Sequence, residues 1–575
     1  MSFDVVTDDQ STKKLWDDLS EERKALQAEG QLPDWYTTQA WQMFKKSYSV
    51  PGELAVLGRH RAIAKTLARH LGKHAAEYEE KFFKELWEGR LSPASPALAN
   101  AGTNRGMVVS CSGQMIDDEV YSFYTSLTET AILSKYGFGT SGDFSSVRPR
   151  GTKFGTNGKA NGASDVIDDF FTCAAKISQG GNRRGSFGAY LDIEHADWDE
   201  CCDKLLTDSN GRNYGWVVKD SFINRLKAGE PEAMRRFTKA LHTKLVTGKG
   251  YVFFVDKANR HRPQMYKDHN LEIVATNLCT EIMLHSSPDL TYSCILASLN
   301  LVHWDHIKSS DSAFIATVFL DCLCSEFIES SAGIPGLEKV REFTIKGRAI
   351  GLGVMGYHTY LQQNNIPYVG LEAQFIGQDI SGHLAAESLR ASKWLAEEFG
   401  EPEWCKGYGV RNTHRIAYAP TKSTSILMGG VSESWFPDPA WVFEAGSAVG
   451  ELSRIPPVFY ELMKERGVYS QETLKRIIGN LGSVQTEDWL TEDEKLVFLN
   501  AFEMDQKILF RRAMLRQKDT CQGQSLNFYV PEDGSEDLIA ELMTEVFLHP
   551  DCLSQYYIYS RSGVVVKDEC VACSA

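Results

Sequence analysis

Between Ser92 and Tyr559 the chain repeatedly sets short apolar runs against longer amphipathic stretches, with glycine-rich segments between them. That alternation constrains the fold more than any other feature. Strands separated by helices favour a βα architecture whose active site is built from loops. GYVFFV at 250–255 and RIAYAP at 415–420 read as strands, while SEFIESSAG and AAESLRASKWLAEEF read as helices. The segments GFGTSGDF, GTNGKANG, SQGGNRRG and RAIGLGVMG read as the turns between them. Upstream, Leu54, Leu57, Ile63, Leu67 and Leu71 recur at three- and four-residue steps, which predicts a helical region. No long Pro/Ser linker interrupts the rest. The expected division is a mostly helical region at 1–90, a catalytic α/β unit at 91–560 and a short tail at 561–575 that is free to move.

Composition narrows the function. Of 575 residues, 43% are hydrophobic and 24% charged, enough apolar content for a large core, and the formal net charge is −15. A general polyanion-binding surface, and so a nucleic-acid polymer partner, is not expected. A small anionic ligand still fits, because its site needs only local donors and helix N-termini. No run approaches the ~20 apolar residues that span a bilayer. The opening MSFDVVTDDQ lacks the basic and apolar regions of a secretion signal, so a cytoplasmic location is expected. Thirteen cysteines in a reducing compartment should be mostly thiols, and conspicuous pairs become candidates for redox chemistry.

The most informative segment is Thr276-Asn277-Leu278-Cys279-Thr280-Glu281. If it is extended, Asn277, Cys279 and Glu281 point to one side, placing a thiol between an amide and a carboxylate. Such a set suits hydrogen-atom or proton transfer. Alone, it reads more readily as a buried strand cysteine with incidental polar neighbours. It recurs, however, with Ser110-Cys111, with Ser293-Cys294 and with a terminal Cys570-Val571-Ala572-Cys573. Half a zinc site is the other reading of that last motif. Zinc usually takes four ligands and no second CxxC or paired HxxxH is present, so no metal site is expected. The adjacent Cys201 and Cys202, and the Cys322/Cys324 pair, read as packing residues.

Taken together these cysteines resemble the ribonucleotide reductase large subunit, from about Ser92 to the C-terminus. The resemblance implies a ten-stranded α/β barrel with the Cys279 loop inside it. It implies that Cys279 carries a thiyl radical that takes the ribose 3′ hydrogen, that Glu281 removes the 3′-hydroxyl proton, and that Asn277 helps hold the sugar hydroxyls. Cys111 and Cys294 would supply two electrons at the 2′ carbon and end as a disulfide, which Cys570 and Cys573 would reduce by thiol–disulfide exchange. The division is chemically reasonable: a radical thiol needs a dry pocket, so turnover needs a local dithiol and a carrier to recharge it.

Further matches follow. Ser92–Asn104 resembles the substrate loop of that family, with Ser95 and Ser110 as substrate contacts. Ala419-Pro420-Thr421-Lys422-Ser423-Thr424-Ser425 resembles its phosphate-binding turn, offering Pro420, Thr421, Ser423, Thr424 and Ser425; by itself a Pro/Ser/Thr cluster is an ordinary loop or N-cap. Asp117-Asp118 with Ser146-Val147-Arg148 resembles the site for a dNTP or ATP effector at a homodimer interface. Gln179 and Arg184, in the glycine-rich 178–185, resemble the loop that carries effector identity to the substrate. Adjacent tyrosines are common in strands, but Tyr556-Tyr557 matches the relay of members that take their radical from a metal-containing small subunit. The resemblance therefore implies a dimetal small (beta) subunit as partner, thioredoxin or glutaredoxin as reductant and nucleoside diphosphates as substrates. The first ninety residues lack the opening pattern of the family's ATP-binding regulatory domain, so an overall activity switch is not expected. Two alternatives remain: an adenosylcobalamin-dependent reductase of the same fold, which has no need of the tyrosine pair, and a catalytically silent nucleotide- or zinc-binding relative.

Overall fold

The structure is a computed structural model and describes residues 10–156, 158–179, 183–447, 450–531 and 536–561. Four helices open the chain: α1 (Gln10–Ala28), α2 (Thr38–Ser47), α3 (Ala55–Ala68) and α4 (Ala75–Trp87). α2 starts where the Thr37 hydroxyl accepts from the Ala40 N–H, satisfying one of the donors a helix start leaves over. α3 and α4 pack through Val56, Ile63, Ala64 and Leu67 on one side and Tyr78, Phe82 and Leu86 on the other. Those positions recur every three, four or seven residues, the spacing of one helix face. Leu54, counted in the sequence pattern, lies before the helix and is exposed.

β1 (Leu91–Pro93) and α5 (Ser95–Asn100) lead into the main body. β2 (Cys111–Met115) and β3 (Gly139–Asp143) are parallel, joined through α6 (Val120–Lys135). Two hairpins, β4 (Lys153–Phe154) with β5 (Gly158–Lys159) and β6 (Ser178–Gln179) with β7 (Arg183–Arg184), flank α7 (Ala163–Lys176). Then β8 (Phe187–Asp192), β9 (Tyr214–Val218) and β10 (Tyr251–Phe254) extend a parallel set in the order β2-β3-β8-β9-β10. Each strand of this set is buried at nearly every position, as expected for parallel strands covered on both faces.

A long irregular stretch, residues 271–291, precedes the second half. After β11 (Tyr292–Cys294), β12 (Leu296–Asn300) runs parallel to β13 (Gly351–Met355). Parallel bridges then link Leu352 to Ile416 and Tyr418 to Gln524. Beyond a hairpin of β14 (Phe443–Ser447) and β15 (Gly450–Arg454) comes β16 (Phe528–Val530). β17 (Ser554–Gln555) and β18 (Ile558–Ser560) finish the described chain, with β18 parallel to β16. Two antiparallel seams join the halves: Cys294 stands opposite Cys111, and Gln555 opposite Val252. Five parallel strands and a second run of five extended segments thus close into an α/β barrel, as the resemblance implied.

Two of the glycine-rich segments expected as turns are instead barrel strands: GFGTSGDF contains β3 and RAIGLGVMG contains β13. The glycines there make room. A Cβ on Gly142 would lie 2.5 Å from Ile116 Cδ1, and one on Gly351 would lie 2.4 Å from Leu296 Cδ2. On β2, a Cβ on Gly113 would sit 2.2 Å from the Tyr292 ring. Gly113→Ala should therefore cost about 1–3 kcal/mol through overpacking. The measurement is the urea or thermal unfolding midpoint of the purified chain, and an unchanged midpoint would show that the ring moves aside freely.

Candidate active site

Residues 276–282 do not run as a strand, so the extended reading of this segment is corrected. They form a tight turn in which the Thr280 N–H donates to Asn277 O at 3.1 Å and Thr280 takes a left-handed φ of 68°. The Asn277 side chain closes it: Oδ1 accepts from the Ile282 N–H at 3.1 Å and Nδ2 donates to Glu281 Oε2 at 2.9 Å. Buried backbone groups must be hydrogen-bonded, and a loop without a ladder needs partners from elsewhere. The barrel wall supplies them. Tyr190 Oη donates to Asn277 O at 2.7 Å, Ser525 Oγ to Cys279 O at 2.6 Å, Ser554 Oγ to Thr280 O at 2.7 Å, and the Gly523 N–H to Glu281 O at 2.8 Å. The turn is thereby held inside the barrel by β8, by residues 523–525 and by β17.

Three thiols and one carboxyl converge here. Cys279 is 6% exposed and Cys111 and Cys294 are buried. Cys111 and Cys294 are directly opposed across β2 and β11, and their thiols lie within hydrogen-bonding reach. Burial, reinforced by Cys111, pushes the Cys294 thiol far above its ordinary pKa, so Cys294 rests as a thiol rather than a thiolate. Glu281 is buried between Asn277 and Ser525 Oγ, which donates to its Oε2 at 3.2 Å. Burial first, and the neighbouring Cys111 second, push its carboxyl up to about 8 despite those hydrogen bonds. A carboxyl so tuned can exchange a proton near neutral pH.

On the other side of Cys279 stand the tyrosines. Tyr556 Oη donates to Cys279 Sγ at 3.6 Å, and the Tyr556 and Tyr557 ring centres are 4.2 Å apart. Sequence reasoning missed Tyr251 on β10. Its ring lies 4.7 Å from that of Tyr556, and its hydroxyl donates to Tyr557 Oη at 2.9 Å. It also missed Lys244, whose buried side-chain nitrogen donates to Tyr556 O at 2.6 Å and Gly250 O at 2.9 Å, fixing the backbone beneath the pair. Tyr190 and Ser554 were missed as well. All of these act through contacts far apart in sequence or through side chains common in any strand. A hydroxyl beside a buried carbonyl has no sequence pattern.

The remaining expected residues fall around this centre. Ser110 is buried just before β2, its N–H donating to Cys294 O at 3.0 Å. Ser95 opens α5 and hydrogen-bonds Tyr48, at the end of α2, at 2.9 Å. Pro420 and Thr421 precede a short helix, Lys422–Leu427, that also packs against α2. Thr421 adopts a left-handed φ of 59°, and its Oγ1 accepts from the Ser434 N–H at 2.8 Å. Ser423, Thr424 and Ser425 are buried in that helix. Asp118 and Arg148 form a half-exposed ion pair at 2.6 Å where α6 begins. Gln179 and Arg184 lie in the β6–β7 hairpin, but their side chains are outside the described residues, as are Cys570 and Cys573 altogether. That hairpin runs directly into β8, where Gly188 packs on Leu278 of the Cys279 turn. Cys201, Cys202, Cys322 and Cys324 are buried in hydrophobic clusters.

Comparison with known proteins agrees with this fold. Residues 109–235, 230–407 and 402–549 match the family described as "Ribonucleotide reductase, barrel domain", and residues 34–106 match "Ribonucleotide reductase, all-alpha domain". A putative ribonucleoside-diphosphate reductase large subunit of Frog virus 3 is 29% identical, over 92% of this chain and 94% of its own. A vitamin B12-dependent ribonucleoside-diphosphate reductase of Thermoplasma acidophilum is 30% identical, over 79% of this chain and 62% of its own. Among solved structures, the Actinobacillus ureae class Id ribonucleotide reductase alpha subunit superposes with a TM-score of 0.84. It is 37% identical, covering 92% of this chain and 98% of that one.

Glu281 gives a pH test. Its pKa is about 4.3 in the unfolded chain and is pushed up to about 8 in the fold. The folded state thus keeps a proton that the unfolded state releases, and stability drains away as pH rises through that window. Glu281→Gln should be neutral near pH 4 and gain on the native chain by roughly a few kcal/mol above pH 8. The check is the difference in unfolding midpoint against pH; a flat difference would place an ionised carboxylate in the pocket.

Proposed function

Because the chain belongs to the ribonucleotide reductase large-subunit family, we propose that it reduces ribonucleoside diphosphates by thiyl-radical chemistry centred on Cys279. The contact that carries this reading is Tyr556 Oη on Cys279 Sγ, with Tyr557 behind it and the Cys111/Cys294 pair in the same closed pocket. A metal-containing small subunit supplies one oxidising equivalent, and Tyr557 and then Tyr556 hand it to Cys279. The Cys279 thiyl takes the 3′ hydrogen from the ribose. Glu281, held by Asn277 and Ser525, accepts the 3′-hydroxyl proton, and its raised pKa suits it to take up and return that proton near neutral pH. Asn277 aligns the sugar hydroxyls. The 2′-hydroxyl leaves as water, protonated from the Cys111/Cys294 pair, which supplies two electrons and becomes a disulfide. Cys279 S–H then returns its hydrogen to C3′. Cys570 and Cys573 reduce the disulfide by exchange and are themselves recharged by thioredoxin or glutaredoxin.

Substrate phosphates lie in the turn of Pro420, Thr421, Ser423, Thr424 and Ser425, with Ser95 and Ser110 contributing at the other edge. A dNTP or ATP effector binds near Asp118 and Arg148 and acts through Gln179 and Arg184. Val120, Tyr121 and Tyr124 are exposed on the first turns of α6, beside that ion pair. An apolar patch there favours a homodimer seated on this helix. None of the described helices is long and apolar enough to cross a membrane, and the chemistry suits the cytoplasm. The second reading, adenosylcobalamin dependence, is favoured by the similarity to the Thermoplasma enzyme.

Reduction of a ribonucleoside diphosphate with dithiothreitol and effector separates the two. We expect turnover only when the cognate small subunit is added; turnover with adenosylcobalamin alone would overturn the tyrosine relay. Cys279→Ser should abolish turnover in every arm. Replacing both Cys570 and Cys573 with Ser should remove activity with thioredoxin or glutaredoxin but leave it within about two-fold in dithiothreitol, since small thiols exchange directly. Loss in dithiothreitol as well would sink the carrier role.

A further inference from the structure

The aromatic series does not end at the tyrosine pair. Tyr559 lies against Tyr557 with ring centres 5.4 Å apart and planes 23° from parallel. Alternation along an extended segment puts residues 557 and 559 on one side. Tyr529 stacks on Tyr559 in turn, at 5.3 Å and 25°, because β16 and β18 pair the two residues. Burial distinguishes the four rings. Tyr556 is 1% exposed, Tyr557 and Tyr529 6%, and Tyr559 alone is only partly buried. Tyr251, which also touches Tyr557, is 1% exposed. Lys422 Nζ sits 5.6 Å from the Tyr557 ring centre and 5.2 Å from that of Tyr559.

We propose that Tyr559 is the outermost station of the radical relay, receiving the oxidising equivalent from the small subunit and passing it to Tyr557. The proposal rests on the relay reading above and extends it by one residue. Each step balances. The small subunit's oxidant takes an electron and the phenolic proton together from Tyr559, whose hydroxyl oxygen is shielded from solvent although the residue as a whole is only partly buried. Tyr559 phenoxyl then regains an electron and a proton as Tyr557 loses one of each, and Tyr556 follows. In the last step the Cys279 S–H hydrogen moves to the Tyr556 oxygen. Lys422 favours this coupling. A cation gains from the electron-rich ring face, so its presence opposes a ring radical cation and ties loss of the electron to loss of the phenolic proton. A packing role would need the Tyr559 ring; a relay role needs its hydroxyl.

The experiment uses the full chain with its small subunit, substrate and effector. Tyr559→Phe keeps the ring and should lower kcat by about ten-fold or more, with KM and nucleotide affinity unchanged, as expected of a step outside substrate binding. In parallel, 3-aminotyrosine, a near-isosteric radical trap, is placed singly at 559 and at 557 and mixed samples are read by EPR. An aminotyrosyl radical at both positions supports the proposal. A radical at 557 but not at 559, with near-full turnover of Tyr559→Phe, overturns it while leaving the relay intact. No radical at either position overturns the relay reading itself, and this proposal with it.

Discussion

Everything in this molecule depends on keeping an irregular loop dry. A buried turn has no ladder of its own, and each unbonded carbonyl would cost the full desolvation of the group. The Cys279 turn survives because Tyr190, Gly523, Ser525 and Ser554 each donate one hydrogen bond to its backbone. Those donors come from both halves of the barrel. Closing the barrel and positioning the thiol are therefore one event. Glycines on β2, β3 and β13 serve the same end, leaving space for the rings and aliphatic chains that seal the interior.

Dryness also sets the chemistry. In a low-dielectric pocket, charge separation is expensive, which raises Glu281 and Cys294 and keeps the Cys294 thiol neutral. Several of the polar groups there satisfy one another: Asn277 to Glu281, Ser525 to Glu281, Tyr556 to Cys279. The half-exposed Asp118–Arg148 pair stands in a different medium, open to solvent. The two environments are bridged by β8, whose Gly188 touches Leu278 and whose upstream end is the β6–β7 hairpin.

How much of this was legible in the sequence depends on what kind of signal each residue carries. Cysteine is rare enough to stand out, so Cys111, Cys279 and Cys294 are conspicuous from residue type and spacing, whereas the 556–557 tyrosine pair is ordinary in a strand and takes its reading from the family resemblance. Helical periodicity likewise exposed α3. The shape of the thiol segment was not legible. Alternation suggested a strand, while the real determinant is the Asn277 side chain folding back on Ile282 and Glu281. Glycine misled as well. It marks a turn when it supplies a positive φ, but in β3 and β13 it marks absent volume, and only the neighbours tell the two apart. Tyr251, Ser525 and Lys244 lacked any local signal because their partners are defined only once the barrel closes.

The segment that closes the barrel has a temporal implication. Ser554 and Gln555 pair with Phe253 and Val252, roughly half the chain earlier, and the same segment brings Ser554 to the thiol turn and Tyr556 to the thiol itself. Contacts of such long sequence separation form late, both in refolding and as a nascent chain emerges N-terminus first. A half-made or half-folded copy can already hold the helical region and the first parallel strands. It cannot yet enclose Cys279 or bring a tyrosine to it. Assembly order thus acts as a safety interlock: the Cys279 thiol meets no tyrosine until its shelter is finished.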